Sequence, residues 1–110
     1  MSSLVSPALV TPLCVLGSAA AYAAAMVMLK VWGLTPGFGG ALCVAAFLLG
    51  AALEAAALRE ARLGAVYIAV LGVESVIVLA AGAAMFGESY SLREWAGGAL
   101  VMVGVMLAAI

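Results

Sequence analysis

Four apolar stretches separated by short polar turns set the pattern of this chain. The clearest runs from Leu63 to Phe86 and carries a single charged residue, Glu74, almost at its middle. A helix rises about 1.5 Å per residue, so this stretch predicts a rod of ~36 Å, long enough to cross a bilayer core with some tilt. A carboxylate at that depth costs up to ~3 kcal/mol on insertion scales, which makes it a functional-site candidate facing a bundle interior or a water-filled cavity. The alternative is a neutral, protonated Glu74 hydrogen-bonded to a neighbouring helix as structural glue.

The other three stretches fall around it. Ser6-Pro7 and Thr11-Pro12 both have the form of an N-cap followed by proline in the first turn, and the second is favoured as the start of a span over about residues 12–32. Tyr22 then falls at its midpoint, while Lys30 and Trp32 can snorkel and anchor near its far end. Thr35-Pro36 repeats the signal and opens a second span over about residues 36–58. Glu54 lies ~10 Å from the centre of that span, close enough to the headgroups to snorkel towards Arg59 or Arg62. Arg59, Glu60 and Arg62 form the turn before the third span, residues 63–86. Ser91-Leu92-Arg93-Glu94 reads as a capping box opening a fourth span, about residues 92–110, with Trp95 near its start. Four spans with short connections predict one all-α domain over residues 1–110, an integral membrane four-helix bundle of antiparallel neighbours.

Composition sharpens this reading. Of 110 residues 69% are hydrophobic and 8% charged, against roughly 25% charged in a soluble domain. Met1 to Val10 holds no Lys or Arg, so it lacks the basic region of a signal peptide and the first span is expected to be retained. Net charge is −1 with no basic cluster, which argues against nucleic-acid binding. Histidine is absent, which removes His-based metal sites and catalytic triads, and no cofactor is expected. Cys14 and Cys43 sit in separate apolar runs and read as small core residues. Lys30 and Arg93 at one end balance Arg59 and Arg62 at the other, so the positive-inside rule selects no orientation, as in a chain that inserts both ways up and pairs antiparallel. Gly97, Leu100, Val101, Gly104 and Val105 recur on one helix face, with small residues that let backbones approach. So short a chain has too few helices to enclose a sizeable polar pathway, and this seam is the expected dimer interface.

The third and fourth spans resemble the small multidrug resistance family of the drug/metabolite transporter superfamily. Leu63-Gly64-Ala65-Val66-Tyr67, Leu71-Gly72-Val73, Phe86-Gly87-Glu88, Trp95-Ala96-Gly97 and Gly104-Val105 follow that family's order and spacing, and Met28-Leu29-Lys30 extends the similarity to the first span. Such patterns also occur in the small subunits that flip lipid-linked aminosugars. Two departures stand out. Family members carry an essential Glu in the middle of the first span, where Tyr22 stands here, and their Gly-Val-Gly in the third span reads Gly72-Val73-Glu74. The resemblance implies a proton-coupled exporter of small organic cations or amphipathic metabolites, working as a dimer in a bacterial inner membrane, and it places Tyr67 near the substrate chamber.

Tyr67, Val70 and Glu74 stand at i, i+3 and i+7, on one face of the third helix. A carboxylate in a low-dielectric site can trade a proton for a cation, and aromatic rings such as Tyr22 and Tyr67 can hold an organic cation. Proton and substrate binding are therefore expected at Glu74, Tyr67, Tyr22 and Val70. Two other readings compete: a lipid-linked-sugar flippase subunit, and a non-transporting half of a heteromeric complex whose active acid lies on another chain. No nucleophile–base constellation points to an enzyme, and Ser75 beside Glu74 reads as a helix-packing hydroxyl.

Overall fold

The computed structural model describes residues 7–33 and 36–109. Among these it contains four helices and no strand: α1, Pro7–Trp32; α2, Phe38–Leu58; α3, Leu63–Phe86; and α4, Leu92–Ala109. The third helix has the bounds its apolar run predicts, and the capping box forms as expected. Ser91 N–H donates to Glu94 Oε1 at 2.8 Å, and Glu94 N–H donates to Ser91 Oγ at 3.2 Å.

Two helix starts differ from expectation. The first helix begins at Pro7, so Pro12 lies inside it rather than at its start. As the sixth residue of α1, Pro12 lies past the four positions whose N–H groups have no intrahelical partner, so it removes one backbone hydrogen bond to the carbonyl four residues before it. Ser6 and Thr35, the expected caps beside the other two prolines, lie outside the described residues. The cap of α2 is Gly37, at φ 108° and ψ −154°, a backbone state open to glycine and strained for other residues; its carbonyl accepts from Ala41 N–H at 3.0 Å. At the other end of α3, Gly87 adopts the left-handed conformation at φ 63°, and Glu88 N–H reaches back to the Gly82 carbonyl at 3.1 Å, closing the helix as a C-terminal glycine does.

α1 is the central helix. It packs on α2 along one side and on α3 along another, while α4 packs on α3 alone among the described residues. The four helices therefore do not close into a ring within one chain. The α1–α2 contact is close because small residues face each other along it. Ser18 Oγ donates to the Gly50 carbonyl at 2.8 Å, Cys43 Sγ approaches the Ala25 carbonyl at 3.6 Å, and Ser18, Ala19, Ala25 and Cys43 are fully buried. Cys43 and the half-buried Cys14 are thus core residues, as expected. Val15, Ala19, Ala57, Val66 and Val70 join α1, α2 and α3 in one buried cluster.

Outside that cluster the large apolar side chains point outward. Leu16, Leu48, Leu49, Ile68, Leu71, Leu100 and Leu107 are all exposed. Contiguous apolar surface of this kind is foreign to a soluble monomer. α1 from Val10, α2 and α3 are each long and apolar enough to cross a membrane. The molecule reads as a membrane protein with at least these three spans.

Candidate functional site

The site grows from the α1–α2 contact. Gly50 has no side chain, so the Tyr22 ring lies flat on its backbone; a Cβ there would stand 2.7 Å from the ring. This seat aims the phenol along α2, where its hydroxyl donates to Glu54 Oε1 at 2.8 Å. Phe47 flanks the same ring, with centroids 6.3 Å apart. From the other side α3 presents Tyr67, Val70, Leu71 and Glu74. Tyr22, Phe47 and Glu54 with these four α3 residues line an open cleft of about 220 Å³.

All four residues expected from the sequence to hold proton and substrate meet here. Glu74 and Tyr22 are partly buried, Tyr67 is 56% exposed, and Val70, at 2%, is both wall and core. The side chain that sequence reasoning missed is Glu54. It does not turn to Arg59 or Arg62; it points to α1 and takes the Tyr22 hydrogen bond. The reason is positional, for Gly50, Glu54 and Ala57 share one face of α2, and Gly50 and Ala57 are buried against α1. That spacing was present in the sequence and is the signal that could have found it. Both charged residues of the lining are acidic, and no Lys or Arg joins them. Chemically the cleft offers carboxylate oxygens and aromatic faces in an apolar frame, which suits a cation.

Ser75, read from the sequence as a helix-packing hydroxyl, donates to the Leu71 carbonyl of its own helix at 2.7 Å. At the opposite end Lys30 does more than reach for solvent. Its ammonium lies 3.4 Å from Glu88 Oε2 and 5.2 Å from the Phe86 ring centroid, tying the end of α1 to the α3–α4 turn. Tyr90 completes this end: its hydroxyl donates to the Leu79 carbonyl at 2.7 Å, and its ring meets Trp95 edge-on. Desolvation first, and then the Glu88 charge beside it, hold the Tyr90 phenol above its ordinary pKa.

The seam expected on α4 divides. Val105 turns inward and fills the space over Gly72, where a Cβ would collide with it. Gly97 and Gly104 have open space beside them, and Leu100 and Val101 are exposed at 71% and 43%. Among the described residues, then, nothing meets Gly97 or Gly104 that would use their small size, and Leu100 and Val101 are left exposed beside them.

Comparison with protein-family models, with curated proteins and with solved structures gave no match.

Proposed function

We propose that this protein is a small multidrug resistance-like transporter of the bacterial inner membrane, exchanging protons for a small organic cation in the cleft between α1, α2 and α3. The observation that carries this reading is the meeting of Glu74, Glu54, Tyr22 and Tyr67, from three helices, around one cleft without a basic residue. A carboxylate in so apolar a frame can hold a proton or a cation but not both, which couples the two. Tyr22 occupies the place of the family's first-span acid and delivers its hydrogen bond to Glu54, so the acids have moved from α1 to its neighbours while still facing it.

In this reading α4 is the fourth span and its outward face, Gly97, Leu100, Val101 and Gly104, pairs with a second copy of the chain in the bilayer, parallel or antiparallel. The open face also favours a second reading, a heterodimer with a similar chain that carries the working acid.

The deciding experiment is flux in proteoliposomes with an imposed proton gradient, using tetraphenylphosphonium and a panel of alkylamines. The parent should drive uptake of at least one of these cations, and Glu74→Gln, which keeps shape and hydrogen bonding but cannot exchange a proton, should abolish it. Undiminished flux in Glu74→Gln would remove Glu74 as the exchanging acid, and no flux in the parent alone would favour the heteromeric reading.

A further inference from the structure

The two acids of the cleft stand at different depths. At about 1.5 Å per residue, Glu54 lies ~6 Å along α2 from the α2–α3 turn, and Glu74 lies ~16 Å along the antiparallel α3 from the same turn. They are therefore ~10 Å apart along the helix axes, and both reach into one continuous cleft. Tyr67 is level with Glu54, and Val70 and Leu71 form an apolar wall between the two levels. The cleft thus runs in order from an acid with an aromatic face, through an apolar stretch, to a second acid.

The two acids also differ in how they are held. Glu54 Oε1 accepts the Tyr22 hydrogen bond, and Tyr22 is itself seated on Gly50 and flanked by Phe47, so this carboxylate is fixed in direction. Glu74 makes no hydrogen bond or ion pair with another side chain among the described residues, and its oxygens are free to meet a ligand. The titratable groups facing Glu54 are Tyr22 from α1 and Tyr67 and Glu74 from α3, none of them a cation.

From this spacing we infer that the cleft is a two-carboxylate site selective for a linear dication, an alkyl diamine or a longer polyamine, with one ammonium at Glu54 and Tyr67 and the other at Glu74. The methylene chain lies along Val70 and Leu71. Each ammonium meets one carboxyl group, and a monoamine reaches one acid and leaves the other without a partner. Tyr22 acts as a positioning residue, holding Glu54 towards the ligand. This inference rests on the transport reading for its setting but is tested separately from it.

The test compares 1,5-diaminopentane with 1-aminopentane, by calorimetric binding to the purified full chain in lipid nanodiscs. The parent should bind the diamine about tenfold or more tightly than the monoamine, since the second end adds a charge-assisted hydrogen bond in an apolar setting. Glu54→Gln, isosteric and still able to accept from Tyr22, should bring the two affinities within about twofold of each other, at the level of the parent's monoamine affinity. Tyr22→Phe, which keeps the ring on Gly50, should reduce the diamine preference without abolishing monoamine binding. Equal affinity for both amines in the parent, or an undiminished diamine preference in Glu54→Gln, would overturn the inference. In either case monocation flux that still depends on Glu74 would leave the transport reading standing, while absence of all cation binding and flux would remove both.

Discussion

Where α1 meets α2, small residues face small residues and nothing is left over: Ser18 bonds to the Gly50 carbonyl, Cys43 sits against Ala25, and the Tyr22 ring covers Gly50. Where α4 meets α3, only part of the small-residue surface is used. Gly72 receives Val105 and Gly98 approaches Leu79, but Gly97 and Gly104 look outward, and an apolar groove of about 350 Å³ remains between the helices, bordered by Leu79, Trp95, Gly98 and Met102. The same residue types thus serve two ends. In the first pair they bring backbones together and seat the side chains of the cleft. In the second they hold α4 to α3 by one edge and leave the other edge free for a neighbour. In lipid, where apolar burial supplies no drive between helices, close van der Waals contact and interhelical hydrogen bonds decide which helices stay together.

Substitutions along these two contacts sharpen or break this contrast. The largest effect is expected at Gly50→Ala. Overpacking against the Tyr22 ring costs ~1–3 kcal/mol and outweighs the ~0.5–1 kcal/mol that alanine gains over glycine within a helix. Thermal unfolding in detergent should fall, and cation binding should fall with it, because the displaced ring no longer presents its hydroxyl to Glu54. A variant with unchanged melting and binding would mean that the α1–α2 contact is loose.

Gly72→Ala should be milder, about 1 kcal/mol, at the low end of overpacking, since α4 touches only α3 and can shift to relieve the clash with Val105. The test lies in the pair: adding Val105→Ala should return most of the lost stability and restore resistance of α4 to limited proteolysis. No recovery in the double variant would show that Val105 is not what Gly72 accommodates.

Ser18→Ala removes one interhelical hydrogen bond in an apolar setting, worth ~0.6 kcal/mol on average and no more than ~2. A modest drop in melting temperature with unaltered cation binding is expected, and a loss of binding at full stability would give the hydroxyl a part in the cleft. Gly97→Ala and Gly104→Ala should have the smallest effect on the fold, neutral or stabilising by up to ~1 kcal/mol, because nothing among the described residues stands near either Cβ. The bulkier Gly97→Leu and Gly104→Leu should leave the monomer folded yet weaken association in crosslinking or detergent sizing. Unchanged association in both would assign the free edge of α4 to lipid.

The cleft itself was partly legible before folding. Tyr67, Val70 and Glu74 announce their shared face by spacing along one helix, and Tyr22 stands out as the midpoint polar group of its span. Glu54 was not legible, because distance from a span's centre says nothing about the direction a side chain faces. The partner of Lys30 was not legible either, because Glu88 lies beyond the end of a different helix.

By itself the sequence determined what depends on local chain properties. The bounds of α3, the Ser91–Glu94 capping box, the glycine that closes α3 and the small, apolar character of the helices are all set by neighbours within a few residues. Only the tertiary structure decided which faces meet. A helix that is apolar all round has no polar stripe to say which side turns inwards, so its periodicity is silent about its partners. The hydrogen bond from Tyr22 to Glu54 and the closing of Gly50 and Gly72 but not Gly97 and Gly104 join residues far apart in the chain or leave them apart. These are consequences of shape complementarity between helices, and that complementarity exists only once the helices have been brought together.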